Sequence, residues 1–370
     1  MRSASLPAAF GFVGASFLRT NRTRSGQLLP RPSAATTVLM AALASTASSS
    51  AAALSSAASC PPPDVTQPYT VLSNTQISPD SNLLEVSLEG RDLLGFERDI
   101  PTCVAVAYTE PNYDNDDDDK KDDKDKKESV LMKSYSPVSH PNMPNKFELL
   151  VKAYEPRPGG GVGAYICGLQ AGDVMKAKVK KQRMMHGSPT VLGRWNHVGL
   201  VAGGTGIAPL YQIAKIILEE KEKEGEKEEK EEEDEGGDNK DEGGKTKIHV
   251  LSINRTEQDI LLRKEMDALA KLYPGRFVVH YSLTGQDEQD KEGFLRGRGS
   301  VEMIHKTLPD PKEDKVMVLV CGKTGFVSNW GGPIGRAPPL PDGSKGPKIQ
   351  GPLLGLLKDA GFDESQVFKY

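Results

Sequence analysis

Three short stretches of this 370-residue chain carry residue types suited to holding a bound cofactor. Residues 201–209 read Val-Ala-Gly-Gly-Thr-Gly-Ile-Ala-Pro. An apolar strand ends there, Gly203, Gly204 and Gly206 turn the chain around Thr205, and a helix opens with Pro209 in its first turn. Glycines let the backbone approach a pyrophosphate closely, and a helix N-terminus presents free N–H groups at its positive dipole end. A tight turn with no ligand would use the same glycines, but their place between strand and helix favours a dinucleotide. The second stretch is Cys321-Gly322, closing another apolar strand. A small polarisable residue at a strand tip is where a nicotinamide ring would lie against a flavin; a buried strand-end residue is the plain alternative. Lys323-Thr324 imitate the end of a phosphate-binding P-loop, but Met317 stands where that motif requires glycine. The third stretch runs from Lys133 through Ser134, Tyr135, Ser136, Pro137 and Val138 to Ser139. Its cation, aromatic ring and hydroxyl can serve the pyrophosphate, the ring system and the isoalloxazine edge of a flavin. A strand followed by a proline turn explains the same residues equally well.

The elements that must position these residues fall into two zones. Short runs at 69–77, 83–88, 102–108, 129–134, 146–154 and 173–179, separated by Gly, Pro, Asn and Asp, read as strands. Without a long helix among them they predict a small antiparallel barrel over 66–190. From 196 to 370 strands and helices alternate: strands at 198–202, 247–253, 277–283, 316–320 and 367–370, and helices at 209–218, 259–272, 301–308 and 351–360. That alternation predicts a doubly wound parallel sheet with ligands outside the C-terminal ends of its strands.

Composition supports this division. Residues 114–128 hold nine acids and five lysines, and residues 219–245 hold fifteen acids and six lysines. Both read as solvated insertions, the first between two barrel strands and the second extending the first helix of the sheet domain away from the strand tips. Outside them the chain is mildly basic, too weakly so to indicate nucleic acid. The four cysteines show no CxxC and no metal-ligand spacing, so neither a disulfide framework, a zinc site nor covalent haem is indicated. Residues 1–63 contain five arginines and no Asp, Glu or Lys, the pattern of an organelle transit peptide. A mitochondrial address is the leading expectation and a plastid one the alternative. The Ala/Ser/Thr-rich run at 38–59 is at best a marginal membrane anchor.

In this order the three stretches resemble the ferredoxin–NADP reductase superfamily, and within it the NADH–cytochrome b5 reductase branch. Lys133–Ser139 matches the family's Arg-x-Tyr-Ser/Thr-Pro-x-Ser flavin motif, and Val151-Lys152-Ala153-Tyr154 the strand after it. Gly159-Gly160-Gly161-Val162-Gly163, running to Asp173, matches the second flavin segment. The Gly203–Pro209 turn, Cys321-Gly322 and the stretch from Asn254 through Asp259 to Arg263 match the pyridine-nucleotide motifs. Lys133 replaces the family's arginine, keeping the charge but losing its bidentate fork. Gly163 replaces a serine, and Lys323-Thr324-Gly325-Phe326 replaces a proline-rich segment.

The resemblance implies FAD and NADH as cofactors, no metal, and an NADH-dependent flavin reductase or diaphorase activity. The nicotinamide would lie between Thr205 and Cys321, Tyr135 and Ser136 would hold the isoalloxazine, and Asp259 would repel the extra phosphate of NADPH. A helix N-terminal acid is the equally weighted reading of Asp259. No haem motif or iron–sulfur cysteine set is present, so the electron acceptor is expected on a separate chain, a haem protein such as cytochrome b5. Lys176, Lys178, Lys180, Lys181 and Arg183 are candidates to dock it, with a lysine-protected edge strand as the alternative. A non-catalytic assembly or binding protein that kept the reductase fold is the competing class.

Overall fold

The computed structural model describes residues 65–91, 93–95, 97–109, 130–153, 161–219, 246–285 and 292–370. Both acidic insertions, apart from Glu219, lie outside these residues, as do Tyr154 and Gly160. So does everything expected of residues 1–63.

Alternation of apolar and polar residues over 67–152 gives six antiparallel strands: β1 (Gln67–Ser78), β2 (Ser81–Ser87), β3 (Thr102–Thr109), β4 (Val130–Tyr135), β5 (Lys146–Lys152) and β6 (Val174–Lys181). They are ordered β4-β3-β6-β1-β2-β5. The long β1 serves two neighbours, pairing through 67–70 with β6 and through 71–78 with β2, with register shifts that bend it. Past Tyr135 the chain bridges back to β5 at Pro137–Leu149, and the Val138 N–H donates to the Glu148 carbonyl at 2.9 Å, closing the barrel. The interior is filled by Tyr69, Leu84, Val86, Val104, Phe147, Leu149 and Met175.

Two expectations for this half need correction. A short helix, α1 (Val162–Gly168), lies inside the zone read as strands alone, and its buried Ile166 plugs the barrel. Asn74 fixes it, its Nδ2 donating to the carbonyls of Ile166, Cys167 and Leu169 at 2.7–3.2 Å. Strand β6 is not an edge, since β3 and β1 flank it.

The second half is a parallel sheet of order β10-β9-β8-β7-β11-β14. Its strands are β7 (His197–Gly203), β8 (Lys247–Asn254), β9 (Phe277–Leu283), β10 (Leu295–Arg296), β11 (Val316–Cys321) and β14 (Val367–Lys369). The central β7 is buried from Val198 to Ala202, as a strand covered on both faces must be. Helix α2 (Ile207–Leu218) lies between sheet and barrel, and of its twelve residues only Lys215 escapes full burial. Helices α3 (Arg263–Leu272), α4 (Val301–Thr307), α5 (Thr324–Gly331) and α6 (Leu356–Asp359) complete the layers. A small hairpin, β12 (Ile334–Arg336) with β13 (Lys348–Gln350), sits between α5 and α6. Among the described residues no helix is long and apolar enough to cross a membrane.

Two helices are shorter than the sequence suggests. A 3-10 turn at Glu257–Asp259 is broken by Leu262 in the left-handed region (φ 56°), so α3 starts only at Arg263. The helix read over 351–360 shrinks to Leu356–Asp359 because Pro352 offers no N–H and Gly355 sits at φ 74°. Helix α5 and the β12–β13 hairpin had no clear signal in the sequence.

One buried side chain stitches the two halves together. Gln212, on α2 and 0% exposed, accepts at Oε1 from the Thr102 backbone N–H (3.0 Å) and from Gln182 Nε2 (2.8 Å). Its own Nε2 donates to the Ser139 carbonyl at 3.3 Å. Replacing Gln212 with Leu keeps the volume and strands these groups, so Gln212→Leu should lose about 2–3 kcal/mol. A fall in the urea midpoint with unchanged slope is the expected readout.

Candidate functional site

The glycine turn is built as the sequence suggests: β7 ends at Gly203, a 3-10 turn covers Gly204–Gly206, and α2 follows with Pro209 in its first turn. Gly204 needs its lack of side chain for a φ of 55°. Gly206 needs it for space, because a Cβ there would run into the Cys321 carbonyl and the Gly322 nitrogen. The turn and the tip of β11 therefore touch backbone to backbone. Thr205, half-buried, sits one residue from that contact.

Phe326 explains two further glycines. A Cβ on Gly203 would lie 2.9 Å from its ring, and one on Gly322 would lie 2.7 Å from it. The segment that replaces the family's proline-rich stretch thus starts α5 and lays an aromatic ring over both motifs. The ring is backed by Trp330 at a centroid distance of 5.9 Å. Neither Phe326 nor Gln212 was singled out from the sequence; the available signal for Gln212 was an amide inside an otherwise apolar helix face.

At Cys321, burial pushes the thiol pKa up to about 12, against the opposing pull of Arg183 and Lys348. At neutral pH it is a neutral, polarisable SH and not a nucleophile. Tyr370 ends the chain beside it. The Tyr370 N–H donates to the Val320 carbonyl at 3.0 Å and its hydroxyl to Gln182 Oε1 at 2.8 Å, so it joins the Gln212 network.

The barrel side holds the third stretch at the end of β4. The Lys133 ammonium lies 5.5 Å from the centroid of the Tyr135 ring. Val130, Leu131, Met132, Lys133 and Ser134 are all exposed, leaving an apolar and cationic strand open to a ligand. Ser136 is half-buried, while Pro137, Val138 and Ser139 are buried. The Ser139 hydroxyl accepts the Glu148 N–H at 3.0 Å, which fixes the loop on β5. Lys152 turns to an ion pair with Asp80. Gly161 precedes α1 without any side-chain cap, leaving the N–H groups of Val162 and Gly163 in the first turn, where no intrahelical acceptor exists.

At the tip of β8, Asn254 is buried. Its Nδ2 donates to Ser252 Oγ at 3.0 Å, and its Oδ1 is a buried acceptor without a hydrogen-bond partner. Such an atom suits a hydroxyl or amide donor from a ligand. Asp259 closes a capping box, its Oδ2 accepting from the Thr256 N–H (3.0 Å) and hydroxyl (2.9 Å). The residues fit both cofactors. The exposed β4 with Lys133, Tyr135 and the uncapped start of α1 would hold FAD, and the glycine turn with Asn254 would hold a nicotinamide dinucleotide. Among the described residues no cluster of His, Cys, Asp and Glu suits a metal ion.

Barrel, parallel sheet and these two cradles define a class: an FAD- and NAD-binding oxidoreductase with a ferredoxin reductase-like fold. The family described as oxidoreductase FAD-binding domain matches residues 123–185, and that described as oxidoreductase NAD-binding domain matches residues 200–330. The cytochrome b5 reductase domain of Ulva prolifera nitrate reductase superposes with a TM-score of 0.58 at 21% identity, covering 83% of this chain and 98% of that one. NADH-cytochrome b5 reductase 2 of Saccharomyces cerevisiae is 34% identical over 250 residues, 66% of this chain and 68% of that protein. The Coccidioides immitis protein of the same name is 31% identical over 247 residues, 66% of this chain, which spans just under two thirds of it at 63%. The chain belongs to the NADH–cytochrome b5 reductase family.

The protonated state of Cys321 is directly testable. At pH 8, iodoacetamide should label it far more slowly than a free cysteine, with peptide mass spectrometry following the rate.

Proposed function

We propose that this chain is an NADH-dependent flavoprotein reductase that accepts hydride from NADH and delivers electrons to a separate haem protein of the cytochrome b5 kind. The observation that carries this reading is the backbone contact of the Gly204–Gly206 turn with Cys321-Gly322. It brings the turn that would hold a pyrophosphate against the strand tip that would carry the nicotinamide.

When bound, FAD supplies the conversion of a two-electron donor into single electrons. The chain supplies orientation and dryness. Thr205 and Cys321 would flank the nicotinamide, with the neutral thiol adding no charge where hydride moves. Gly203, Gly204 and Gly206 would offer N–H groups to the dinucleotide phosphates, and Asn254 Oδ1 would accept one hydroxyl. Lys133 and the first turn of α1 would hold the flavin phosphates, with Tyr135 and Ser136 along its ring. The Phe326 ring packs against Gly203 and Gly322 and would back the nicotinamide ledge.

For the acceptor, Lys176, Lys178 and Lys180 alternate with the buried Met175, Ala177 and Val179 on β6, and so present three cations on the barrel's outer surface. Lys181 leaves this stripe to pair with Glu97, and Arg183 turns to the Lys369 carbonyl. The Arg-rich, acid-free residues 1–63 support delivery to mitochondria, with plastids as the alternative.

The purified protein should be yellow with flavin absorbance that bleaches on adding NADH without oxygen. A colourless protein, or one that NADH leaves unbleached, would favour a binding-only role, to which the Arg-to-Lys133 and Ser-to-Gly163 changes lend weight. Separately, Asp259→Thr should raise kcat/KM for NADPH relative to NADH in steady-state assays. An unchanged preference with lower stability would leave Asp259 as a cap alone.

A further inference from the structure

Three cations converge beside the tip of β11 from two parts of the chain. Arg183 leaves β6 in a single 3-10 turn, stacks 5.4 Å from the centroid of Phe368, and donates through Nη2 to the Lys369 carbonyl. Its Nη1 is buried and has no hydrogen-bond partner. Arg336 and Lys348 are register partners across the β12–β13 hairpin, and Arg336 Nη1 donates to the Gly346 carbonyl at 3.1 Å.

The hairpin is tied to the same spot. Gln350 Nε2 donates to the Lys369 carbonyl at 2.9 Å, the acceptor that Arg183 also uses, and Gln350 Oε1 receives the Lys369 N–H at 2.8 Å. The Lys369 ammonium, 1% exposed, donates to the carbonyls of Pro333, Gly351 and Pro352, fastening both ends of the hairpin.

Among the described residues no carboxylate pairs with Arg183, Arg336 or Lys348. Partial desolvation of the Lys348 ammonium first, and then the charges of Arg183 and Arg336, push its pKa down, although the residue as a whole is exposed. Like charges opposed across a strand pair destabilise a hairpin, and a buried guanidinium donor without a counter-ion is costly. Both costs disappear when an anion with several acceptor oxygens enters between the three groups.

We propose that Arg183, Arg336 and Lys348 form a binding site for a phosphate-class dianion beside Cys321. Three cations more than balance two negative charges, and the unpartnered Arg183 Nη1 is a donor for one of the anion's oxygens. Two sources carry this chemistry: free phosphate or pyrophosphate, and a phosphate of the dinucleotide held at the adjoining glycine turn.

The test is calorimetric titration of the purified full chain with inorganic pyrophosphate in low-salt buffer. One saturable event is expected, weakened about tenfold or more in the Arg336→Gln/Lys348→Gln double variant. These two residues are exposed, so the variant should fold, and relief of their repulsion should leave its thermal midpoint at or above the parent's. Pyrophosphate should raise the parent's midpoint and not the variant's. Arg183→Gln should match the double variant in affinity. Loss of pyrophosphate binding under saturating NADH would assign the site to the dinucleotide's own phosphates, and retention would assign it to a free anion; both outcomes uphold it. Equal affinity in parent and double variant, or no saturable binding in the parent, overturns it.

Discussion

The arrangement depends on one buried amide. Gln212 sits where the helix after the glycine turn meets the barrel, in a place that apolar side chains alone would pack without fixing. By accepting from Thr102 and Gln182 and donating to Ser139, it sets the angle and depth at which the two halves meet. Buried polar groups must be satisfied, so a small rotation of one half would leave several donors and acceptors unpaired at once. Apolar contact supplies attraction between barrel and sheet, and the amide supplies register.

The network reaches both cradles. Ser139 is the last residue of the flavin stretch, and Gln182, bonded to Gln212, also receives the Tyr370 hydroxyl next to Cys321. The segment that would face flavin and the strand tip that would face nicotinamide are thus one and three hydrogen bonds from the same side chain. Chemistry that needs two flat rings in contact tolerates little play between their holders. A satisfied polar network provides that stiffness where loops would otherwise set the spacing.

Much of this was legible in the sequence because its signals are local. Period-2 runs, turn residues and the change to alternating strand and helix located nearly all of the strands, and the glycine turn declared its own geometry. Errors came where tertiary forces decide. The 3-10 turn at Glu257–Asp259 and the left-handed Leu262 interrupt a stretch whose periodicity is helical. Strand β6 looks like an edge by its lysines yet lies inside the sheet, because only its outward face needs water. Of the candidate residues, Thr205, Gly206, Cys321 and Gly322 come together, while Ser139 and Lys152 spend their side chains on the barrel. Phe326 stayed hidden because its role depends on Gly203, more than a hundred residues away in the chain.

Strand β4 has a consequence for the history of the chain before any cofactor arrives. It ends the barrel's strand order, and Val130, Leu131 and Met132 are 56%, 36% and 45% exposed along it. An apolar border strand of this kind is a template for self-association between newly made copies. Immediately upstream in the sequence stand the nine acids and five lysines of residues 114–128. Dense charge beside a sticky strand acts as a gatekeeper against aggregation, which gives that insertion a solubility task independent of electron transfer.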